Sequence, residues 1–600
     1  MKKVLFGAGM NAQTAIDIIG KSNIAYIVDN DEKKDGMNIG GIDVFSFENK
    51  KEELHKYKVI ISVSEKYREE IEHQLFDSGI DNFCSFRQIQ REQTRQKIAN
   101  RKNGLEQYRK AVEWIKRNSV NGEGIICNTG FPVIYPEVTG YYIPTLIRWG
   151  YRDLAKKYAN WLISHQQKDG SWLDASGNAP YIFDSAQIIK GLLAVRKIVD
   201  DTESVDKSIL AGCEWIFSRM SQEYRLITPN TQCWGEDEAT CSEIIHIYCL
   251  SPLKEAGIAF NKPHYVEYAD KVFEYYKTKY IEKIMNFSLL SHFYAYLMEA
   301  LLDLGHEDMC KTAMGKLSSF QKESGAVPAY NNVNWVCSTG LFQLALVWFR
   351  LGKIERGNQA FDYACKLQNE SGGWYGSYLS EENMEEENTY FPSAEISWAN
   401  KYFLDALFYK NKAEFNAISS HFLKNISRED ERYLVVKERI PISDAKVLDV
   451  GCGKGRYLRN LVQDLPNNEY YGVDISAEVM RSLSDINVKC EEGTLTCIPF
   501  EEKFFNVTYS CEAIEHSIDV ERAIAEMVRV TKKDGLIIII DKNDGCYGEF
   551  EIGEWEQWPN EEKLKSLMNP FCSDVDILHG LSYEDGENKD LFTAWIGKIR

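Results

Sequence analysis

The chain has 600 residues, and at roughly 150 residues per domain that length predicts about four domains, or three if one is large. Its 90 acidic and 70 basic residues leave a net charge of −20, which repels phosphate backbones and argues against nucleic acid as a partner. A hydrophobic content of 44% and a charged content of 27% are ordinary globular values, and no apolar run approaches the ~20 residues of a bilayer span.

The opening run MKKVLFGAGMN is followed at once by glycine and polar residues, without the apolar core and small-residue cleavage site of a signal peptide. The 15 cysteines are scattered, with no Cys-x-x-Cys, so reduced thiols and no metal site are expected. These features predict a cytoplasmic protein without membrane insertion.

Residues 1–100 alternate strand and helix: Lys3–Phe6, Ile24–Val28 and Val59–Val63 read as strands, Asn11–Ile19 and Lys66–Ser78 as helices. That alternation predicts a parallel sheet. Gly7, Gly9 and Ala12 form a Gly-x-Gly-x-x-Ala turn, and Asp29 follows Gly9 by 20 residues at the end of the second strand, a nucleotide-binding spacing. The continuation VDNDEKKDGMNIGGIDVF resembles the small Rossmann-like domain of sugar acyltransferases and other sugar-modifying enzymes. That resemblance implies a nucleotide or sugar-nucleotide ligand, or a docking role; a purely structural role competes with both. Gln88–Lys102 reads as an exposed linker helix.

Residues 101–410 lose the strand signals and carry long amphipathic helical windows such as Tyr151–His165 and Ser185–Val199. Their turns echo one another: HQQKDGSW, FQKESGAV and LQNESGGW, with weaker echoes at MSQEYRL and YYKTKY. Gln167, Gln222, Lys277, Gln321 and Gln368 mark spacings of 55, 55, 44 and 47 residues, one helical hairpin per repeat. About six hairpins suffice to close a ring; an open solenoid is the competing arrangement. The region resembles the (α/α)6-toroid proteins, a group that includes terpenoid cyclases and polysaccharide lyases. The resemblance implies that the turn motifs tie helix ends together.

An Asp-x-Asp-Asp motif for carbocation chemistry is missing, since Gly235-Glu236-Asp237-Glu238 is acidic but differently spaced. Polar and aromatic residues gather where inner helices would begin: Tyr135, Glu137, Thr139, Tyr141 and Tyr142, then Tyr181 and Asp184, Glu238 and His246, His292 and Tyr294, Glu395 and Trp398. Sugar faces stack on rings while hydroxyls pair with carboxylates, and Tyr/His/Glu sets can move a proton beside a uronate carboxylate. Tyr142, Asp184, His246, His292 and Glu395 are therefore the candidates for a lyase, C5-epimerase or glycoside hydrolase centre. Core packing, or a non-enzymatic glycan-binding or assembly role, competes with that reading.

Residues 411–600 return to strand–helix alternation. In VLDVGCGKGRYL, a buried strand ends in Asp449, and Gly451, Gly453 and Gly455 turn the chain into a helix, where a missing Cβ lets a ligand approach the backbone. A second strand, Tyr470–Val473, ends in Asp474, placed to accept ribose hydroxyls. With GTLTCIPF, CEAIEH and RVTKKDGLIIII following in order, the region resembles the class I S-adenosylmethionine-dependent methyltransferases. The resemblance implies that Asp449, Gly451 and Gly453 cradle the methionine part of the cofactor, Asp474 holds the ribose and Ile475 meets the adenine. Thr494 stands where relatives carry an adenine-binding Asp. His516, Glu512 and Glu515 are candidates for the base that an alcohol acceptor needs; capping the next helix is their competing role. Trp555 and Trp558 can stack on a sugar or pack in the core.

The expected whole is multidomain: an α/β Rossmann-like domain (1–100), an all-α (α/α)6 toroid (101–410) and an α/β Rossmann-like methyltransferase (411–600). The expected activity is O-methylation of a sugar or glycan precursor in surface-polysaccharide synthesis, in association with glycan-assembly enzymes.

Overall fold

The computed structural model describes residues 2–99, 101, 104–229, 243–379, 387–548, 552–553, 555–582 and 591–600. Two compact units emerge: Met1–Asn103 with Ile540–Ser566 and Ile577–Trp595, and Gly104–Ile539 with Leu567–Asp576 and Ile596–Arg600.

In the first unit, β1 (Lys3–Phe6), β2 (Ile24–Asp29), β3 (Asn38–Ile39), β4 (Ile42–Ser46), β5 (Lys58–Ile61) and β6 (Phe83–Ser85) form one sheet in the order β3-β4-β2-β1-β5-β6. All pairs are parallel except β3 with β4. Helices α1 (Asn11–Ile19), α2 (Phe47–Lys50), α3 (Glu65–Asp77) and α4 (Phe86–Ala99) lie between or after the strands. Alternation along β1 divides the core in two: Val4 and Phe6 pack with Phe47, Leu54 and Leu75, while Leu5 packs with Ala15, Ile16 and Ile19. Both faces are covered, as a parallel sheet requires.

The second unit begins with α5 (Leu105–Asn118), then the antiparallel strands β7 (Ser119–Val120), β8 (Gly124–Asn128) and β9 (Phe131–Ile134). Helices follow in succession: α6 (Pro136–Arg148), α7 (Arg152–Ser164), α8 (Ile182–Arg196), α9 (Glu203–Ser218), α10 (Leu250–Ala259), α11 (Pro263–Met285), α12 (Ser291–Asp303) and α13 (Glu307–Leu317). A two-residue pair, β10 (Val336–Cys337) with β11 (Ser377–Tyr378), brackets α14 (Ser338–Arg350) and α15 (Ile354–Lys366), and α16 (Ser397–Ala417) ends the series. The short strands, absent from the sequence reading, carry too few residues for a period of two to register.

Packing among the even-numbered helices is circular: α6 meets α8, α8 meets α10, α10 and the 3-10 segment Glu243–Cys249 meet α12, then α12 meets α14, α14 meets α16, and α16 returns to α6. Several of these helices are buried almost all round, α14 from Ser338 to Phe349 and α8 over most of its length. The closest approach is at two glycines. A Cβ on Gly191 would lie 2.1 Å from the Gly140 carbonyl oxygen.

The repeated turns explain themselves in this arrangement. Gly170, Gly325 and Gly372 all have φ near +95°, and a Cβ on each would collide with the carbonyl of Ala211, Gln359 or Lys110 on α9, α15 or α5. Four residues earlier, the amides of Gln166, Gln321 and Gln368 donate to the carbonyls of Ser208, Arg356 and Gln107 on the same three helices. The last turn thus ties to the first helix of the series. The repeat register runs through Gln166 rather than Gln167, and Lys277 marks no turn because it lies inside α11, where no glycine interrupts the helix.

Beyond α16, α17 (Glu431–Lys437) precedes a seven-stranded sheet made of β12 (Ser443–Val450), β13 (Asn467–Asp474), β14 (Lys489–Glu492), β15 (Phe505–Cys511), β16 (Thr531–Lys542), β17 (Cys572–Leu581) and β18 (Phe592–Ile599). Its order is β14-β13-β12-β15-β16-β18-β17. The fold is α/β and Rossmann-like, with α18 (Arg456–Asp464), α19 (Ala477–Met480) and α20 (Val520–Val530) among its crossovers. No described helix is long and apolar enough to cross a membrane.

Candidate cofactor site and ring interior

At the carboxyl end of β12 the chain turns through three left-handed glycines: Gly451 (φ +82°), Gly453 (φ +51°) and Gly455 (φ +73°). Gly451 and Cys452 both donate their N–H to the Val473 carbonyl, at 2.8 and 3.0 Å, which pins the loop to β13. A Cβ on Gly451 would sit 2.4 Å from that of Ala513, and one on Gly455 2.1 Å from Leu483 Cδ2. Gly453 differs: nothing lies within 4 Å of its Cβ position, so its open side is available to a ligand. A ligand can therefore reach the backbone here.

Asp474, at the end of β13, accepts the Gly453 N–H at 2.9 Å and the Ser476 N–H at 3.0 Å, one on each oxygen. Each oxygen keeps a lone pair for a hydroxyl donor. Burial raises its pKa while those two N–H groups oppose the rise. Asp449 is buried beneath the loop and accepts from the Tyr509 hydroxyl at 3.0 Å; burial pushes it up to about 7. Ile475 is partly exposed beside Asp474. Thr494 is placed by the Gly493 N–H, which donates to the Asp474 carbonyl at 3.0 Å, and its hydroxyl is 3.2 Å from that of Thr496.

The base candidates differ in their surroundings. Glu512 has a left-handed backbone (φ +54°), and its carboxylate is held by Arg432 at 2.5 Å and by Arg456. Both guanidiniums reach the same oxygen, Oε1. Glu515 is buried, 3.7 Å from Nε2 of the partly exposed His516, whose ring meets the edge of Phe415. Arg432 and Arg456 were absent from the sequence reading. Arg456 follows Gly455 directly in the GKGR motif and was legible there; Arg432 lies 24 residues before Arg456 in a segment without a motif.

The chemistry of these donors fits S-adenosylmethionine: an open glycine cradle for the amino-acid end and a carboxylate with free lone pairs for the ribose. Bound there, that cofactor supplies an electrophilic methyl group on a sulfonium.

The ring candidates do not form one cluster. Tyr142 donates to the Ser397 carbonyl at 2.6 Å, a helix-to-helix tie. Glu395 accepts from Trp114 Nε1 at 2.7 Å, Asn369 at 2.8 Å and Ser371, so it belongs to the repeated turn. His246 bonds to Tyr276 at 3.2 Å, and burial lowers its pKa to about 4. His292 lies between Gln343 and Tyr296, lowered by burial to about 3. Asp184 stands apart, accepting the Tyr135 hydroxyl at 3.2 Å. Gly235 to Glu238 lie outside the described residues.

In the first unit, Gly7 (φ +116°) faces Val63, and Gly9 has nothing within 4 Å of its Cβ position. Ala12 is buried in α1. Asp29 is engaged by its own domain: the N–H groups of Ala8 (2.6 Å) and Asp31 (2.8 Å) and the Lys34 ammonium (3.0 Å) all reach it. Burial alone raises its pKa, but these donors outweigh it and the net shift is downward. A cavity of about 230 Å3 lies nearby, lined by Asn11, Thr14, Arg68, Ser85 and Arg87 among others.

Residues 448–539 match the family model described as a methyltransferase domain. An uncharacterised methyltransferase of Bacillus subtilis, YcgJ, is 30% identical over 115 residues, covering 18% of this chain and 45% of that protein. The 2-methyl-6-phytyl-1,4-hydroquinone methyltransferase of Synechocystis is 27% identical over 135 residues, covering 22% and 42% respectively. The chain therefore spans less than half the length of these two relatives. The solved structure of the B. subtilis YcgJ protein overlays with a TM-score of 0.23 at 18% identity, covering 28% of this chain and 96% of that one. The carboxy-terminal fold and its glycine loop are those of a methyltransferase domain.

Proposed function

We propose that the protein is an S-adenosylmethionine-dependent methyltransferase that transfers a methyl group to an oxygen of a sugar or glycan precursor. The observation that carries the cofactor is the joint placement of Gly453 and Asp474: a glycine with open space at its Cβ position and a carboxylate with spare lone pairs, after adjacent parallel strands. His516 is the base in this reading, because Glu512 is neutralised by two arginines. Methyl transfer requires the acceptor atom in line with the methyl–sulfur bond, so Glu515 and Phe415 would act by positioning the imidazole.

The sugar acceptor is supported by the aromatic and carboxylate residues of the helix circuit, which we read as an (α/α)6 toroid between a small Rossmann-like domain (1–100) and the transferase (411–600). The arginine-lined cavity of the first unit supports an anionic ligand such as a sugar nucleotide. In this reading the protein works in polysaccharide synthesis in the cytoplasm.

Calorimetry of the full chain with S-adenosylmethionine tests the reading. Binding is expected, and Asp474→Ala should weaken it roughly ten- to hundredfold, the range for a hydrogen bond to a charged group. A parent that does not bind, or an Asp474→Ala variant that binds equally, refutes it.

A further inference from the structure

We propose that the interior of the helix circuit is a second binding site, one that takes a protonated amine carried on a hydroxylated body, with Glu137 and Asp184 as its counter-ions. Neither residue is among those assigned to methyl transfer.

The argument starts from charge. Glu137 on α6 is 6% exposed and Asp184 on α8 is 0% exposed. They share Tyr135, whose hydroxyl reaches Asp184 Oδ2 at 3.2 Å and also interacts with Glu137. The other oxygen of Asp184, Oδ1, is buried and has no hydrogen-bond partner among the described residues. A buried carboxylate in that state is costly unless a cation or proton compensates it. Lys401, whose charge reaches Glu137, is already committed to Asp405 at 2.9 Å. Burial raises both carboxyls above the usual range, Glu137 to about 7, and the charge of Glu137 raises Asp184 further.

A second observation points to a ligand. Gln187 is fully buried, yet neither its amide nitrogen nor its oxygen has a partner among the described residues. It lies one turn from Asp184 on α8, between Phe183, which packs on Tyr296 at 5.0 Å, and Lys190, which bonds to Tyr248 at 3.2 Å. The free amide therefore faces the same interior and suits a hydroxyl, which both donates and accepts.

The walls suit a cation. Tyr141 lies 6.1 Å from Tyr402, and Tyr296 lies 6.2 Å from Tyr402. Two ammonium groups already sit on rings in this interior: Lys401 is 3.6 Å from the Tyr402 centroid and Lys190 is 4.6 Å from that of Tyr248. Tyr135 and Tyr390 are partly exposed. A neutral sugar would satisfy Gln187 but leave the carboxylate charge uncompensated.

The test is calorimetry on the full chain with two probes that share a ring, glucosamine and glucose, which differ by an ammonium in place of a hydroxyl. Glucosamine should bind at least roughly tenfold more tightly than glucose, and Asp184→Asn should remove that preference. Glu137→Gln is the second variant should Asp184→Asn misfold, with S-adenosylmethionine binding and circular dichroism as controls for folding. Equal binding of the two sugars, no binding of glucosamine, or an unchanged preference in the folded carboxamide variants overturns the proposal.

Discussion

At the scale of single residues, the pair Glu137 and Asp184 makes stability depend on pH in an unusual direction. A carboxyl whose folded pKa is raised binds more protons folded than unfolded between its ordinary value and the raised one. Its contribution to stability is complete below about pH 4 and is lost as pH rises through about 7, the value reached by Glu137. Glu137→Gln should therefore flatten the loss of stability between about pH 5 and pH 8, read from urea midpoints of parent and variant. An unchanged slope would mean that the carboxyl is compensated in the folded chain. Glycine is the other residue-scale device. Gly451→Ala adds a Cβ 2.4 Å from that of Ala513 at φ +82°, so about 2–4 kcal/mol of destabilisation is expected from strain and overpacking together. Denaturant unfolding measures it. The glycine loop was legible in the sequence because its function is backbone shape, and backbone shape is written in Gly and Asp spacing. The fate of Glu512 was not, since its neutralisation depends on Arg432, which reaches it from another element.

Among elements, the repeated turns carry information that a single helix does not. Each glutamine amide and each glycine faces the carbonyls of the following outer helix, so the motif encodes a contact between repeats. Gly372→Ala, with a Cβ only 2.2 Å from the Lys110 carbonyl, should cost about 2–4 kcal/mol because the last turn loses its seat on α5. Trp374→Ala should cost about 3–5 kcal/mol, since that ring is fully buried and its Nε1 bonds to the Ala364 carbonyl at 2.8 Å. Thermal or denaturant unfolding of both variants checks the ranking. Helix succession and turn spacing were readable because they recur along the chain. The short strands β7 to β11 were not, because a ladder of two to five residues leaves too little pattern. One turn marker, Lys277, failed for a related reason: its aromatic and lysine neighbours favour a helix, and only glycine would have ended it.

At the scale of the second unit, one polar chain joins the transferase loop to the helix circuit. Thr494 meets Thr496, whose hydroxyl donates to the Arg148 carbonyl at 2.8 Å. Arg148 reaches Asp405 at 2.6 Å, and Asp405 holds Lys401 over the Tyr402 ring. Thr494 is thus linked through these bonds to the Tyr402 ring that walls the proposed amine site. Binding equilibria at two ends of such a chain obey a closed thermodynamic cycle: whatever factor one occupant applies to the other's affinity is returned in full. Arg148→Met should reduce that factor towards one, measured as the S-adenosylmethionine affinity with and without a saturating amine. What looks like a structural brace between two folded parts would then be an exchange of information that runs equally well in both directions.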